Sequence, residues 1–212
     1  MSMHFTEPPS VFLPNNEPYL GLPMVHALDL TIPRAMEIYA AIGRRTFEMN
    51  LTPLQQAVAV VIPQGISISL SIRELIRQAY LYSGAILLRP LVERTGMAQF
   101  LLQNPSAVDA WHAGWPRRSQ PEFRALVELV MPDGSAREHK LTKEILHKLV
   151  HVDPKGAAFN MFARSDGSLA FASGKELQQP AKADAICQLA THCLRRLTAS
   201  AAFAFDYDPD SA

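Results

Sequence analysis

The chain is 212 residues long, 48% hydrophobic and 19% charged, with 20 basic residues against 20 acidic ones and a formal net charge of zero. That length suits one domain and can bury a core without disulfides or metals, and the composition excludes intrinsic disorder. A neutral chain exerts no global pull on nucleic acid or on an anionic membrane, which leaves only a local basic patch for such partners.

Residues 1–23 carry Pro8, Pro9, Pro14, Pro18 and Pro23. Each ring fixes φ and removes a donor, so the segment reads as an extended arm. It also holds Phe5, Val11, Phe12, Leu13, Tyr19 and Leu20, and is therefore expected to lie on the body of the protein or on a partner subunit. The opening "MSMHFTEPPS" has neither the basic nor the apolar region of a secretory signal.

A single helical domain is expected over 24–205. From 24 to 50, Met24, Leu28, Ile32, Met36 and Tyr39 recur at helical spacing, with Pro33 near a helix start or dividing two short helices. Residues 53–62 form a shorter apolar piece capped by Thr52-Pro53 and interrupted by Pro63 and Gly65. The heart of the chain is 66–103, apolar at almost every angle and expected to be central in a bundle. Its opening "ISISLSI" alternates like a strand, but the run after it favours helix, which Pro90 should kink or restart. No apolar stretch reaches the roughly 18 uninterrupted residues of a membrane span.

"NPSAVDAWHAGW" and "SQPEFRALVELVM" read as short helices and "MPDGS" as a turn. "REHKLTKEILHKLVH" is helical, with Leu141, Ile145, Leu149 and Val152 as its apolar stripe, and "DPKG" stops it. "AFNMFA" and "SLAFAS" flank an Asp-Gly, which signals a small β-hairpin. A last helix runs from about 180 to 204, followed by a frayed acidic tail over 206–212. The fold class is thus an all-α helical bundle with a Pro-rich arm and a small hairpin before the final helix.

Cys187 and Cys193 are the only cysteines. Six apart on one helix they point in different directions, cannot bridge, and fit a reducing cytoplasm as small core residues. Nucleotide-binding loops, the esterase elbow and CxxC are absent from the sequence, and no cofactor or metal is expected.

Three stretches carry candidate chemistry. In "HKLVHVDP", His147 and His151 share a helix face with Glu144. An HxxxH pair binds zinc only with a third ligand, and Lys148 beside it opposes a cation. Histidines at a helix C-terminus equally serve its negative end. In "LLRPLVERTG", Arg89 and Glu93 are four apart with Arg94 following. They form either a polar binding pocket in the bundle or an ion-pair network that fixes register. In "WHAGWPRRSQPEFR", Trp111 and Trp115 lie near Arg117, Arg118 and Arg124. Aromatics among arginines stack on nucleobases or form a protein contact, and they also pin loops to cores.

The order of these segments resembles a group of uncharacterised bacterial helical proteins similar to HEPN-like domains. In those, an "LLRPLxE"-like helix and an "LVHxDP"-like helix end recur, and the likeness spans roughly 66–200. The resemblance implies a role in stress or phage defence. Its catalytic members carry Arg, four to six residues, then His, facing a dimer cleft and acting on RNA. No arginine here has a histidine at that offset. Glu144, Ile145 and Leu146 occupy the eligible positions before His151, and Lys140, Leu141 and Thr142 those before His147. Lys140 is the nearest substitute but lacks the planar guanidinium fork. The expectation is a non-catalytic interaction module, a homodimer contacting its partner through the arm and the Trp-rich loop. One alternative is an atypical ribonuclease or metal-dependent enzyme built on His147, His151, Glu144 and Lys140. Another is a small-ligand sensor with its pocket near Arg89 and Glu93.

Overall fold

The computed structural model describes residues 17–116, 119–151, 159, 161–163, 166–171 and 174–209. Most of the Pro-rich arm, Arg117, Arg118, Val152 and the last three residues of the acidic tail lie outside the described residues.

Eight α-helices and one short hairpin make up the described fold, an all-α bundle. Helix α1 (Pro23–Arg45) opens on proline, whose missing donor costs nothing in a first turn. It buries Val25, Leu28, Ile32, Ala35, Ile38 and Ile42 at three- and four-residue spacing. Pro33 neither starts nor divides it: the ring sits on the exposed side of a continuous helix, and the packed face holds the turn together.

Helix α2 (Pro53–Arg77) is likewise unbroken, so the interruption expected at Pro63 and Gly65 does not occur. A capping box starts it, with the Thr52 hydroxyl accepting from Gln55 N and the Gln55 side chain accepting from Thr52 N. Within "ISISLSI" the buried residues are Ile66, Ser69 and Ile72, a helical period, while Leu70 is exposed. Gly65 lets α2 approach Leu197 on the last helix at a point where a Cβ would clash. This uninterrupted helix is long and apolar enough to cross a membrane by length and composition, contrary to the sequence reading. Here one side of it packs against α1, α4 and α8.

The apolar run ends earlier than its pattern suggests. Ala79 adopts a left-handed φ of 65°, fully buried, and its carbonyl accepts from Glu176 N. Helix α3 (Leu81–Ile86) follows, then α4 (Leu88–Gln103), with Pro90 in the first turn of α4 where a restart tolerates it. A 3-10 turn (Pro105–Ala107) leads into α5 (Val108–His112), then α6 (Phe123–Val130).

Helix α7 (Ala136–Val150) is opened by a Ser135–Glu138 capping box. Its buried residues are His139, Leu146 and Leu149, while Leu141 and Ile145 are exposed. The inward face is therefore rotated from the expected stripe, because the imidazole of His139 takes a core position by bonding Met131 O at 2.7 Å. Strands β1 (Met161–Ala163) and β2 (Leu169–Phe171) pair antiparallel, Met161 opposite Phe171. Asp166 accepts from Ser168 N, and Gly167 sits at φ 80° in the turn between the strands.

Helix α8 (Pro180–Ala204) runs through the middle and packs on α1, α2 and α4. Leu28, Ile62, Ile72, Leu91, Leu194 and Leu197 form the fully buried centre. A smaller cluster of Ala57, Met97, Leu101, Val108 and Leu126 lies beside it, under Trp111 and Trp115. The start of the acidic tail is not frayed: Asp206 O and Pro209 O accept from Arg45 and Arg34 on α1.

Candidate binding groove

The first turns of α4 bring Arg89, Glu93 and Arg94 to one side of the bundle. Arg89 Nε donates to Glu93 Oε1 at 3.1 Å, as the i,i+4 spacing allows. The last turn of α7 crosses the same place. Arg89 Nη1 lies 3.3 Å from His147 Nδ1 and 3.4 Å from His151 Nε2. A guanidinium only donates, so in these contacts His147 Nδ1 and His151 Nε2 are the acceptors. The two imidazoles are 4.2 Å apart, centroid to centroid. Arg89 also lies over the Phe123 ring, 4.8 Å from its centre. Two stretches 58 residues apart in the chain are thus joined through one side chain.

On the other side of Arg89 is an open groove of about 460 Å³. Its polar lining includes Arg89, Glu93, Arg94, Gln64 and Gln120; Trp111, Phe123, Met97 and Leu126 are among the apolar groups. Arg94 is held loosely: Nε meets Gln64 Oε1 at 3.3 Å, Nη1 meets Pro90 O at 3.5 Å and Glu93 at 3.7 Å. Trp111 is half-buried against both core clusters. The groove belongs to the size range of small-molecule sites, and its lining is divided between polar and apolar groups.

The sequence candidates therefore separate. Arg89, Glu93, Arg94 and Trp111 line the groove, and His147 and His151 stand behind Arg89. Trp115 packs its ring 6.2 Å from Phe100 and takes no part in the lining. Glu144 pairs with Lys148 at 3.8 Å, and Lys140 is exposed on the outer face of α7. Among the described residues, no three His, Cys, Asp or Glu side chains gather as a metal-binding set. Phe123, Gln64 and Gln120 join the site unannounced by any motif; only the tertiary crossing of α2, α4 and the loop before α6 brings them together.

His139 and His192 have structural partners. His192 Nε2 bonds Val130 O at 2.7 Å, beside the His139 bond to Met131 O, and Arg196 reaches Leu129 O. The carbonyls ending α6 are thus closed by side chains from α7 and α8. Both cysteines are buried and free, and burial pushes each thiol up to about 12.

Fold and groove together define an all-helical domain with an amphipathic cleft. Comparison with known proteins adds no narrower class: no family model, no curated protein and no solved structure matches the chain.

Proposed function

We propose that the chain is a non-catalytic helical binding module whose ligand occupies the groove beside Arg89, Arg94 and Trp111. The carrying observation is that cleft, where charged and aromatic groups from α4, α5 and the start of α6 converge. The bidentate-capable guanidiniums suit recognition, while the histidines are engaged with Arg89 from outside the lining. Parts of the same proposal are a homodimer, kinship with HEPN-like domains, a role in bacterial defence or stress, and a cytoplasmic location suited to two buried thiols. A thermal-shift screen with soluble aromatic fragments tests the groove. Bound fragments should raise the melting temperature of the wild type and lose that effect in Trp111→Ala. Fragments that stabilise the variant equally would sink the proposal.

The ribonuclease reading gains one specific support: Arg89 meets His147 and His151 in space although no sequence spacing links them. Cleavage of single-stranded RNA that disappears in a folded His147→Ala/His151→Ala variant would move it ahead. No cleavage by the wild type would remove it.

A further inference from the structure

Among the described residues, the ionisable groups of the groove do not balance. Two guanidiniums, Arg89 and Arg94, face one carboxylate, Glu93. Arg89 is committed, with Glu93 on Nε, the two imidazoles on Nη1 and the Phe123 ring beneath its plane. Its charge is neutralised by Glu93 at 3.1 Å. Arg94 has no comparable bond: its closest contact is the neutral Gln64 amide at 3.3 Å, and Glu93 is 3.7 Å away. The groove therefore carries one net positive charge, centred on a guanidinium that is about a third exposed. The rest of the lining mixes the Gln64 and Gln120 amides with apolar side chains. Trp111 and Phe123 offer rings, and Met97, Val61 and Leu126 close the floor.

Resting on the reading of this cleft as a binding site, we infer that its ligand is a small organic monoanion with a flat, aromatic body. The anionic head, a carboxylate, sulfonate or phosphate monoester, pairs with Arg94 and takes hydrogen bonds from Gln64 or Gln120. The ring lies against Trp111 and Phe123. A cationic ligand would face Arg94 without a free counter-charge, since Glu93 is already held by Arg89. A neutral ligand would bury the guanidinium's side of the groove without compensating its charge, which costs affinity. A single ring system with one anionic substituent is compatible with a cleft of about 460 Å³.

The test uses a pair of probes that differ only in charge: 2-naphthalenesulfonate and 2-naphthalenesulfonamide, each titrated calorimetrically into the full-length protein. The sulfonate should bind the wild type at least about tenfold more tightly, the worth of one charge-assisted contact. Arg94→Gln, which removes the charge and keeps a side chain that can still hydrogen-bond, should abolish that difference. Trp111→Ala should weaken both probes. Equal binding of the two probes, with both weakened by Trp111→Ala, would overturn the anion preference and leave the groove as the binding site. Binding that Trp111→Ala does not change would overturn the groove as well. If the wild type binds neither probe while aromatic fragments still stabilise it through Trp111, the anionic class is wrong and the site stands. Circular dichroism on each variant separates lost contacts from lost fold.

Discussion

At the scale of single residues, much of the chemistry here is polar groups finding partners that the chain pattern does not announce. Glu74 is the sharpest case. Hydrogen bonds from Arg77, then from Gln78, hold its carboxyl down at about 2, well below its ordinary 4.5. A depressed folded-state pKa stabilises the fold above the unfolded value, and that contribution is lost as pH falls from about 4.5 toward 2. The group is half exposed, so solvent screens the effect and the energy involved is small. Carboxyl-carbon NMR should nonetheless place its midpoint near 2, and an ordinary midpoint would mean the Arg77 contact is not made in solution. The cysteines make the opposite prediction. With both thiols raised to about 12 by burial, neither should react with a thiol reagent at pH 8 in the folded protein, and both should react on denaturation. The sequence had already marked Cys187 and Cys193 as core residues, because small apolar side chains on an Ala-rich helix have few other uses. It could not show the bond from His139 to Met131, since that depends on how a turn folds back.

At the scale of elements, the helices were legible and their breaks less so. Proline is a strong punctuator of local structure, yet Pro33 and Pro63 both sit inside long helices. A helix that buries seven or more residues against neighbours tolerates the loss of one backbone bond. One break, at Ala79, involves neither proline nor glycine and is fixed by a bond from Glu176 far along the chain. The hairpin and α8 followed directly from Asp-Gly and Pro180, where local signals and tertiary packing agree. The rotation of α7 was missed because Leu141 and Ile145 look more apolar than His139 until the imidazole has a partner. Element crossings add a test at Gly96. There α4 meets α6 so closely that an added Cβ would lie 2.8 Å from Leu126 O and 3.0 Å from its Cα. Backbone cannot step aside cheaply, so Gly96→Ala should cost about 2 kcal/mol. A urea midpoint unchanged from wild type would show that α4 and α6 are not so tightly apposed. Because Met97 and Leu126 flank this crossing and line the groove, the same variant should also weaken any ligand bound there.

At the scale of the whole molecule, four of the candidate residues proved to share a cleft, which the sequence could suggest only as separate stretches. Arg89 and Glu93 were readable as a pair from their spacing. Their meeting with Trp111 and Phe123 required the convergence of three elements, α4, α5 and α6. The surface keeps several large apolar side chains exposed, among them Phe47, Met49 and Phe203 near one end of α1 and α8. The proposed homodimer predicts a species of twice the 23.5 kDa chain mass in native mass spectrometry. Removing residues 1–22 should weaken it if the arm contributes to the contact. A monomer at micromolar concentration would remove self-association from the functional reading.

Helices α1 and α8 are fastened together at both ends: Met24 N donates to Asp184, the Tyr19 hydroxyl to Glu176 O, and Arg45 to Asp206 O. Between these clasps α8 completes the burial of α1, α2 and α4 alike. During synthesis the ribosome therefore delivers the central helix only after the helices it packs on. Until residues 180–204 have emerged, the inward faces of the earlier helices have nothing to close on, and a nascent chain stalled before that point would expose them to chaperones. Contacts spanning some 160 residues also raise the loop-closure cost of the final step. Folding of this helical bundle is thus expected to complete only once residues 180–204 have left the ribosome, with the earlier helices remaining clients of the folding machinery until then.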